Sequence, residues 1–305
     1  MSVMQNFKFF LRPIWNSRYV IRVRGYIFDF VEFLTNYSDE RRRFRENTGY
    51  ELNLANPKTF SEHLVWKKIH DRNPVLPILA DKYRIRGYVK TKLGDSAEKY
   101  LIPLLWHGED PSQIPFDDLD GEYIIKSNHN SGPHFIVENG KVPDRQKIIK
   151  SLKQQLSIPY GLFKHEWAYR KIKPRQVVVE RLLRDDDGNI PKDYKLHMIG
   201  GECAFIQVDF DRFIDHSRTL YDKNWDYLPV TLKFKQGREQ LRPKKLEEML
   251  ILAGQLSKDF DYVRIDLYAF GDKIYLGEMT HYPGSGMEKF DPIDFDYKLG
   301  KLWKK

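Results

Sequence analysis

The sequence predicts an α+β fold. Three features of the 305-residue chain carry that expectation. Apolar residues recur at helical spacing in four stretches, Val177-Val178-Val179 is a β-branched run, and two pairs of apolar runs are each joined by a glycine-containing turn. Helices alternate irregularly with antiparallel pairs, which argues against a doubly wound parallel sheet.

The first helix of the main body enters at Asn56-Pro57-Lys58-Thr59-Phe60-Ser61-Glu62. Thr59 and Glu62 have capping-box spacing, which satisfies free backbone N–H groups reciprocally, and Leu64, Val65 and Ile69 supply an apolar side. A second helix is expected over Pro77 to Lys92, with Ile78, Leu79, Ile85 and Val89 facing inward, Lys82 in its early turns and Gly94 closing it. Leu101 to Trp106 and Tyr123 to Lys126 read as strands, and Ile148 to Leu156 as a helix. The β-branched run reads as a strand in a sheet interior. After the turn-forming stretch Arg184 to Asn189, Tyr194 to Ile199 and Cys203 to Val208 pair as a hairpin around Gly200-Gly201. Leu246 to Leu256 is helical by periodicity. Tyr262 to Tyr268 and Lys273 to Glu278 then form two strands turning at Gly271-Asp272.

Composition narrows the function classes. With 41% hydrophobic and 31% charged residues the chain buries a sizeable core, and disorder is not expected. Its single cysteine, Cys203, excludes an internal disulfide or cysteine metal cluster and reads as a buried structural thiol, which fits a reducing cytoplasm. No apolar run approaches the roughly 20 residues of a membrane span. No leader with a cleavage site opens the chain, so a secreted or integral protein is not expected. Nucleic-acid binding is not expected either, for want of zinc-finger spacing or an aromatic RNA-binding motif.

The net charge is +8, and part of the excess lies at the start. Lys8, Arg12, Arg18, Arg22 and Arg24 precede the first acid, Asp29, and interleave with Phe7, Phe9, Phe10, Trp15, Tyr19 and Tyr26. This pattern suits peripheral docking of residues 1–45 on an anionic membrane surface. The alternative is a helical arm packed on the main body, with Arg41, Arg42, Arg43 and Arg45 as a solvated face.

The sharpest chemical signal is Arg264-Ile265-Asp266-Leu267-Tyr268 followed by Ile274-Tyr275-Leu276-Gly277-Glu278. A three-residue loop at Gly271-Asp272-Lys273 sets Asp266 and Glu278 opposite each other, where a divalent cation removes their repulsion and oxygen ligands select a hard ion such as magnesium. Thr280 adds a hydroxyl. A two-residue loop shifts the register by one, separates the carboxylates and leaves Arg264 neutralising Asp266. A second signal is Tyr123-Ile124-Ile125-Lys126-Ser127-Asn128-His129-Asn130-Ser131-Gly132. It reads either as a strand and phosphate-cradling loop with a lysine, or as a plain surface turn. No role as ligand or base is read from the residue types of His129 and His134 alone.

Asn56-Pro57-Lys58-Thr59-Phe60, Asp71-Arg72-Asn73-Pro74, Lys126-Ser127-Asn128-His129, Lys192-Asp193-Tyr194-Lys195 and Glu278-Met279-Thr280 occur in that order. With them the chain resembles the teichuronopeptide-biosynthesis (TupA-like) ATP-grasp family from about Asn56 onward. The resemblance implies two α+β subdomains enclosing a nucleotide, with residues 1–55 as a basic helical arm. Residues 56–120 would form an N-terminal portion, 121–176 a lid, and 177–305 a C-terminal subdomain with the metal site. It implies ATP and Mg2+ as cofactors. Lys82 and Lys126 then hold phosphates, and the Asn128 to Gly132 loop, with His129 and Ser131, resembles the flap over them. Glu180, Arg181 and Leu183 resemble the hinge at adenine, and Asp193 the acid near ribose. Asp266 and Glu278 match the metal carboxylates, and Thr280 stands where the wider superfamily commonly has Asn. Arg218 matches a basic residue that, with Lys126, stabilises the transferring phosphoryl group.

The implied reaction is carboxylate–amine ligation through an acyl phosphate. Its implied setting is cell-surface polysaccharide assembly, with a uronic-acid carboxylate and an amino acid as substrates. Two rivals remain at this level. One is a glycosyltransferase, since Asp-x-Asp occurs at Asp118/Asp120, Asp185/Asp187, Asp209/Asp211, Asp259/Asp261 and Asp294/Asp296. The other is an inactive scaffold at the membrane surface.

Overall fold

A computed structural model describes residues 18–138, 140–211 and 215–303. Lys8, Arg12, Phe7, Phe9, Phe10 and Trp15 of the basic arm lie outside them. The described chain starts with helices α1 (Arg18–Leu34) and α2 (Ser38–Thr48). The Glu32 carboxylate joins them by accepting the Asp39 and Glu40 N–H groups at 3.0 Å each, at the start of α2. Helix α3 (Phe60–His70) begins with the expected capping box: Thr59 Oγ1 accepts from Glu62 N at 3.1 Å, and Glu62 accepts from Thr59 N at 3.0 Å.

The single helix expected over Pro77 to Lys92 is two, α4 (Leu76–Leu79) and α5 (Ile85–Leu93). Between them the Asp81 carboxylate accepts from Tyr83 N at 2.9 Å and Arg84 N at 3.2 Å, and Lys82 N donates to Asn128 O at 3.0 Å. A short acidic side chain bonded to its own backbone competes with the helical ladder, and here it wins because a distant strand end takes the next N–H. Lys82 therefore sits in a turn, not in a helix. Gly94 ends α5 with positive φ, as its position predicts.

The first sheet contains β1 (Leu104–Gly108), β2 (Tyr123–Ser127), β3 (Phe135–Val137) and β4 (Val177–Arg181). Its order is β1-β4-β2-β3, antiparallel throughout. Between β3 and β4 the chain forms α6 (Arg145–Ser157) and the single turn α7 (Trp167–Arg170). Val177 and Val179 are fully buried against Ile125, Ile148 and Leu152, so the β-branched run does occupy a sheet interior. This sheet draws in β1 and β4 from either side of the 121–176 segment, because strands pair by register and not by nearness in sequence.

The second sheet comprises β5 (Asp193–Ile199), β6 (Glu202–Phe210), β7 (Ser217–Tyr221), β8 (Tyr227–Leu228), β10 (Lys235–Gln236), β11 (Tyr262–Phe270) and β12 (Lys273–Thr280). Its order is β10-β7-β6-β5-β11-β12, with β8 on β7. A small ribbon pairs β9 (Thr231–Leu232) with β13 (Phe290–Asp291). One sheet face is apolar: Leu196, Met198, Ile206, Val208, Val263 and Ile265 pack under α8 (Leu246–Ser257) through Leu246, Met249, Leu252 and Leu256. The opposite face is aromatic at one end, where Phe205 and Tyr262 meet Phe60, Phe290 and Phe295. The last helix, α9 (Asp294–Leu302), closes against α3. The Asp296 carboxylate accepts from Ser61 N at 2.9 Å and from the Tyr50 hydroxyl at 2.7 Å, and a Cβ on Gly300 would lie 2.1 Å from Lys58 O. Burial pushes the Cys203 thiol up to about 12, consistent with an inert structural cysteine.

Candidate active site

The β11–β12 turn is the two-residue kind, with Phe270 facing Lys273. Carried on unbroken, that register would set Asp266 against Gly277 and leave Glu278 on the other face. A β-bulge intervenes: Leu267 pairs with Leu276, the next pair is Asp266 with Glu278, and Gly277 is the extra residue. The shorter of the two loops considered from sequence is thus the one formed, and the bulge brings the carboxylates together. Glycine suits the position because a Cβ there would lie 3.0 Å from the Tyr268 ring and 3.3 Å from Asp266 O.

Arg264 bridges the two acids. Its Nε and Nη2 donate to Asp266 at 2.6 and 2.7 Å, and Nη2 also reaches Glu278 at 3.0 Å and Thr280 Oγ1 at 3.3 Å. Thr280 Oγ1 donates to Glu278 at 2.9 Å. Burial raises the Asp266 pKa to about 6, against the pull of Arg264 and then Lys195. At Glu278 burial works in the same direction, but Arg264 and Lys82 outweigh it and hold the carboxyl at about 2. A cation is already needed to keep these acids together. Among the described residues no cluster of three or more acidic, histidine or cysteine side chains encloses a metal. Two facing carboxylates fit Mg2+, which takes one or two carboxylates together with phosphate oxygens and water.

Alternation carries polar groups along the same sheet face. Lys195 pairs across the backbone with Asp266 on one side and Gln207 on the other. Its ammonium is paired with Asp193 and lies 3.4 Å from Asp209. Farther along, Arg218 is 5% exposed and donates to Asp209 at 2.7 Å and Glu288 at 3.2 Å. Arg218 does not line the cavity beside Glu278.

The facing wall comes from the first sheet and the α4–α5 turn. Lys126 is paired with Glu180 at 2.7 Å, and Lys82 donates to Asn130 O at 2.6 Å. Burial lowers the Lys82 pKa, Lys126 adds to that, and Glu278 and Glu180 oppose it, so all four groups share one field. The cavity between the walls measures about 420 Å³; Lys82, Asn130, Ser131, Glu166, Tyr169, Lys233, Arg264, Glu278 and Thr280 line it, whereas Lys126 and Asp266 do not.

Two side chains of the 128–132 loop turn away. Asn128 bonds Pro174 O and Gln176 N, and the ring of fully buried His129 lies 3.2 Å from Ile158 O, with burial lowering its pKa to about 4. Neither side chain is available to a phosphate, because the buried loop must satisfy its own polar groups. The groups left on the cavity side are Ser131 and the backbone. Arg181 likewise extends outward to Asp120 O at 2.8 Å, and Leu183 follows the end of β4.

A family model described as TupA-like ATPgrasp matches residues 62–304. The chain belongs to that family. Its ATP-grasp fold is the α+β arrangement expected from sequence, and the family's cofactors are ATP and Mg2+. No curated protein matches. Similar solved structures include the D-alanine–D-alanine ligase of Bacillus anthracis, at 17% identity and TM-score 0.41, covering 74% of this chain and 65% of that one. The Helicobacter pylori D-alanine–D-alanine ligase has 16% identity, TM-score 0.43 and coverage of 80% and 65%. An L-amino acid ligase from Bacillus licheniformis has 13% identity, TM-score 0.38 and coverage of 68% and 42%. The TupA-like chain thus spans about two thirds of the D-alanine–D-alanine ligases' length, at 65% of each.

For this TupA-like protein, sequence reasoning passed over Lys195 and Glu166 and gave Arg264 only a neutralising part. The signal for Lys195 was present: Asp193, Lys195 and His197 occupy every second position of a strand whose other positions are apolar. Glu166 and Tyr169 had none, since the single helical turn α7 and its N-cap, outside the hairpins, carry them. None of the five Asp-x-Asp pairs lines the cavity; Asp185 caps its own turn, Asp261 pairs with Lys67 and Asp296 bonds α3.

Proposed function

We propose that the chain is an ATP- and Mg2+-dependent carboxylate–amine ligase. The observation that carries this reading is that Lys82 from one wall and Glu278 from the other line a single cavity, with Lys126 in the field of Lys82 and Asp266 joined to Glu278 through Arg264. Lys82 and Lys126 bind the phosphates, with Ser131 and the backbone of Asn130 to Gly132 closing over them. The backbone around Glu180 to Leu183 receives adenine and Asp193 the ribose, with Lys195 holding Asp193 in place. Asp266, Glu278 and the Thr280 hydroxyl hold the metal, which when bound neutralises charge developing on the phosphate oxygens. Against the effect of burial, Arg264, which donates to both acids, favours the ionised form of Asp266. Arg218 acts at longer range by fixing Asp209 and Glu288.

In the reaction, a carboxylate oxygen of the acceptor attacks the γ-phosphorus. The bond to the bridging oxygen breaks, leaving ADP and an acyl phosphate. An amine then displaces phosphate and loses a proton, giving the amide. Lys164 and Lys233, which line the cavity, favour an anionic acceptor, in keeping with a uronic-acid carboxylate of a cell-surface polysaccharide and an amino acid as the amine. The test is hydroxylamine trapping of the acyl phosphate across a panel of uronic acids. ATP-dependent hydroxamate and matching ADP are expected with at least one member, and no hydroxamate with any carboxylate would overturn the reading.

The same proposal puts the protein at an anionic membrane surface. Its support is α1, which exposes Val23, Ile27, Phe30, Phe33 and Leu34 along with Arg24. No helix among the described residues is long and apolar enough to cross a membrane. The full chain is expected to sediment with phosphatidylglycerol vesicles, and Phe30→Ser with Phe33→Ser to release it. Failure of the unsubstituted chain to sediment would end this part of the proposal.

A further inference from the structure

A second cavity, of about 530 Å³, lies behind the ATP cleft. One stretch of chain separates the two: Tyr160, Lys164, Glu166 and Tyr169 face the cleft, while Pro159, Leu162, His165, Trp167 and Arg170 face the other way. Helix α1 closes the far side with Arg22, Tyr26 and Asp29.

The charge on this cavity is one-sided. Arg22, Arg72, Arg170, Lys171, Lys173 and Arg175 line it, and Asp29 is its carboxylate. Asp29 is taken by Arg170 at 2.5 Å, with His165 at 3.5 Å. The remaining cations form no ion pair among the described residues. Arg72 donates to the Asp71 and Ile69 carbonyls, and Arg22 reaches only the Ser157 carbonyl at 3.4 Å, with its Nε buried and unbonded. Burial, and then Arg22 beside it, push the Arg175 pKa down. Two guanidiniums brought together without an acid between them cost free energy that a bound anion removes. Three rings, Tyr26, Tyr37 and Trp167, share the cavity, and Arg72 lies over Trp167 at 5.4 Å. The volume falls within the range of small-molecule sites.

We infer that this cavity is a second anion site, built for a diphosphate ester whose phosphates sit on Arg22, Lys171, Lys173 and Arg175 and whose organic part lies along Tyr26, Tyr37 and Trp167. Several cations suit more than one phosphate charge, and guanidinium forks suit phosphate oxygens in particular. The ester is either a soluble nucleotide-linked sugar or the headgroup of a lipid diphosphate, since α1, which lines the cavity with Arg22, Tyr26 and Asp29, also exposes Val23, Ile27 and Phe30. The inference stands apart from the ligase reading, because none of the cleft residues takes part.

The test is calorimetric titration of inorganic pyrophosphate into the full chain whose ATP cleft is saturated with Mg2+ and a non-hydrolysable ATP analogue. Binding is expected to persist, to weaken at least about tenfold in Lys173→Gln/Arg175→Gln, and to be unchanged in Lys150→Gln, an exposed lysine that lines neither cavity. Binding of the analogue by the double variant verifies its fold. Loss of pyrophosphate binding on filling the cleft, or indifference to the double substitution, would overturn the site whatever the fate of the ligase reading. Displacement of pyrophosphate by a nucleoside-diphosphate hexose assigns the soluble source, and displacement by a short-chain prenyl diphosphate assigns the lipid one. Displacement by neither would overturn the ester.

Discussion

Glu278→Gln is expected to lower Mg2+-dependent ATP turnover by about 10²–10³-fold with little change in the urea midpoint. Its carboxylate is the more open of the pair, with 42% of the side chain exposed against 6% for Asp266. Against the effect of burial, Arg264 and Lys82 hold it ionised throughout the working pH range. The amide keeps the shape and the bond from Thr280 but removes a full negative charge. Asp266→Asn is expected to cost turnover similarly and also to strand Arg264, which donates two of its bonds to that carboxylate. The two variants therefore separate by stability. Both are read by coupled ADP release over a Mg2+ titration, alongside urea unfolding. Turnover within about threefold of the parent in either variant, at saturating Mg2+, would remove that residue from the proposed metal site, since losing a true charge-stabilising group costs far more.

Lys68→Met is expected to destabilise the fold by about 3–5 kcal/mol. Lys68 and Glu40 are both fully buried and paired, and the Lys68 ammonium also donates to Ser285 O at 2.8 Å and Ser285 Oγ at 2.9 Å. Removing the cation leaves Glu40 in the interior with Arg43, at 2.8 Å, as its remaining partner. Glu40→Leu added to Lys68→Met is expected to restore part of the loss, because replacing both members of a buried pair costs less than stranding one. Urea unfolding of the single and double variants measures this, and a single-variant loss under about 1 kcal/mol would show that the pair contributes little. Ser285 belongs to the turn after β12 that lines the cleft. The same substitution is therefore expected to raise the acceptor KM more than it lowers kcat, linking the N-terminal helices to the substrate wall.

What the sequence by itself determined was whatever depends on neighbours along the chain. The Thr59–Glu62 capping box, the hairpin at Gly200-Gly201, the β-branched interior strand and the placing of Asp266 and Glu278 on one hairpin all follow from spacing and local backbone preference. The family motifs then supplied a fold that periodicity alone did not. Tertiary structure decided where side chains point. A strand's side chains alternate with period two, so a single bulge at Gly277 decides that Glu278 shares the face of Asp266, and an isolated glycine in a strand permits a bulge without requiring one. The helix expected over Pro77 to Lys92 broke because Lys82 N found a partner on Asn128, far along the chain. Asn128 and His129 turned inward for the same reason: buried polar groups must be bonded, and their partners, Pro174, Gln176 and Ile158, are brought close only by folding. The one-sided charge of the second cavity arises in the same way, from α1 and the 159–175 segment meeting across more than a hundred residues of chain.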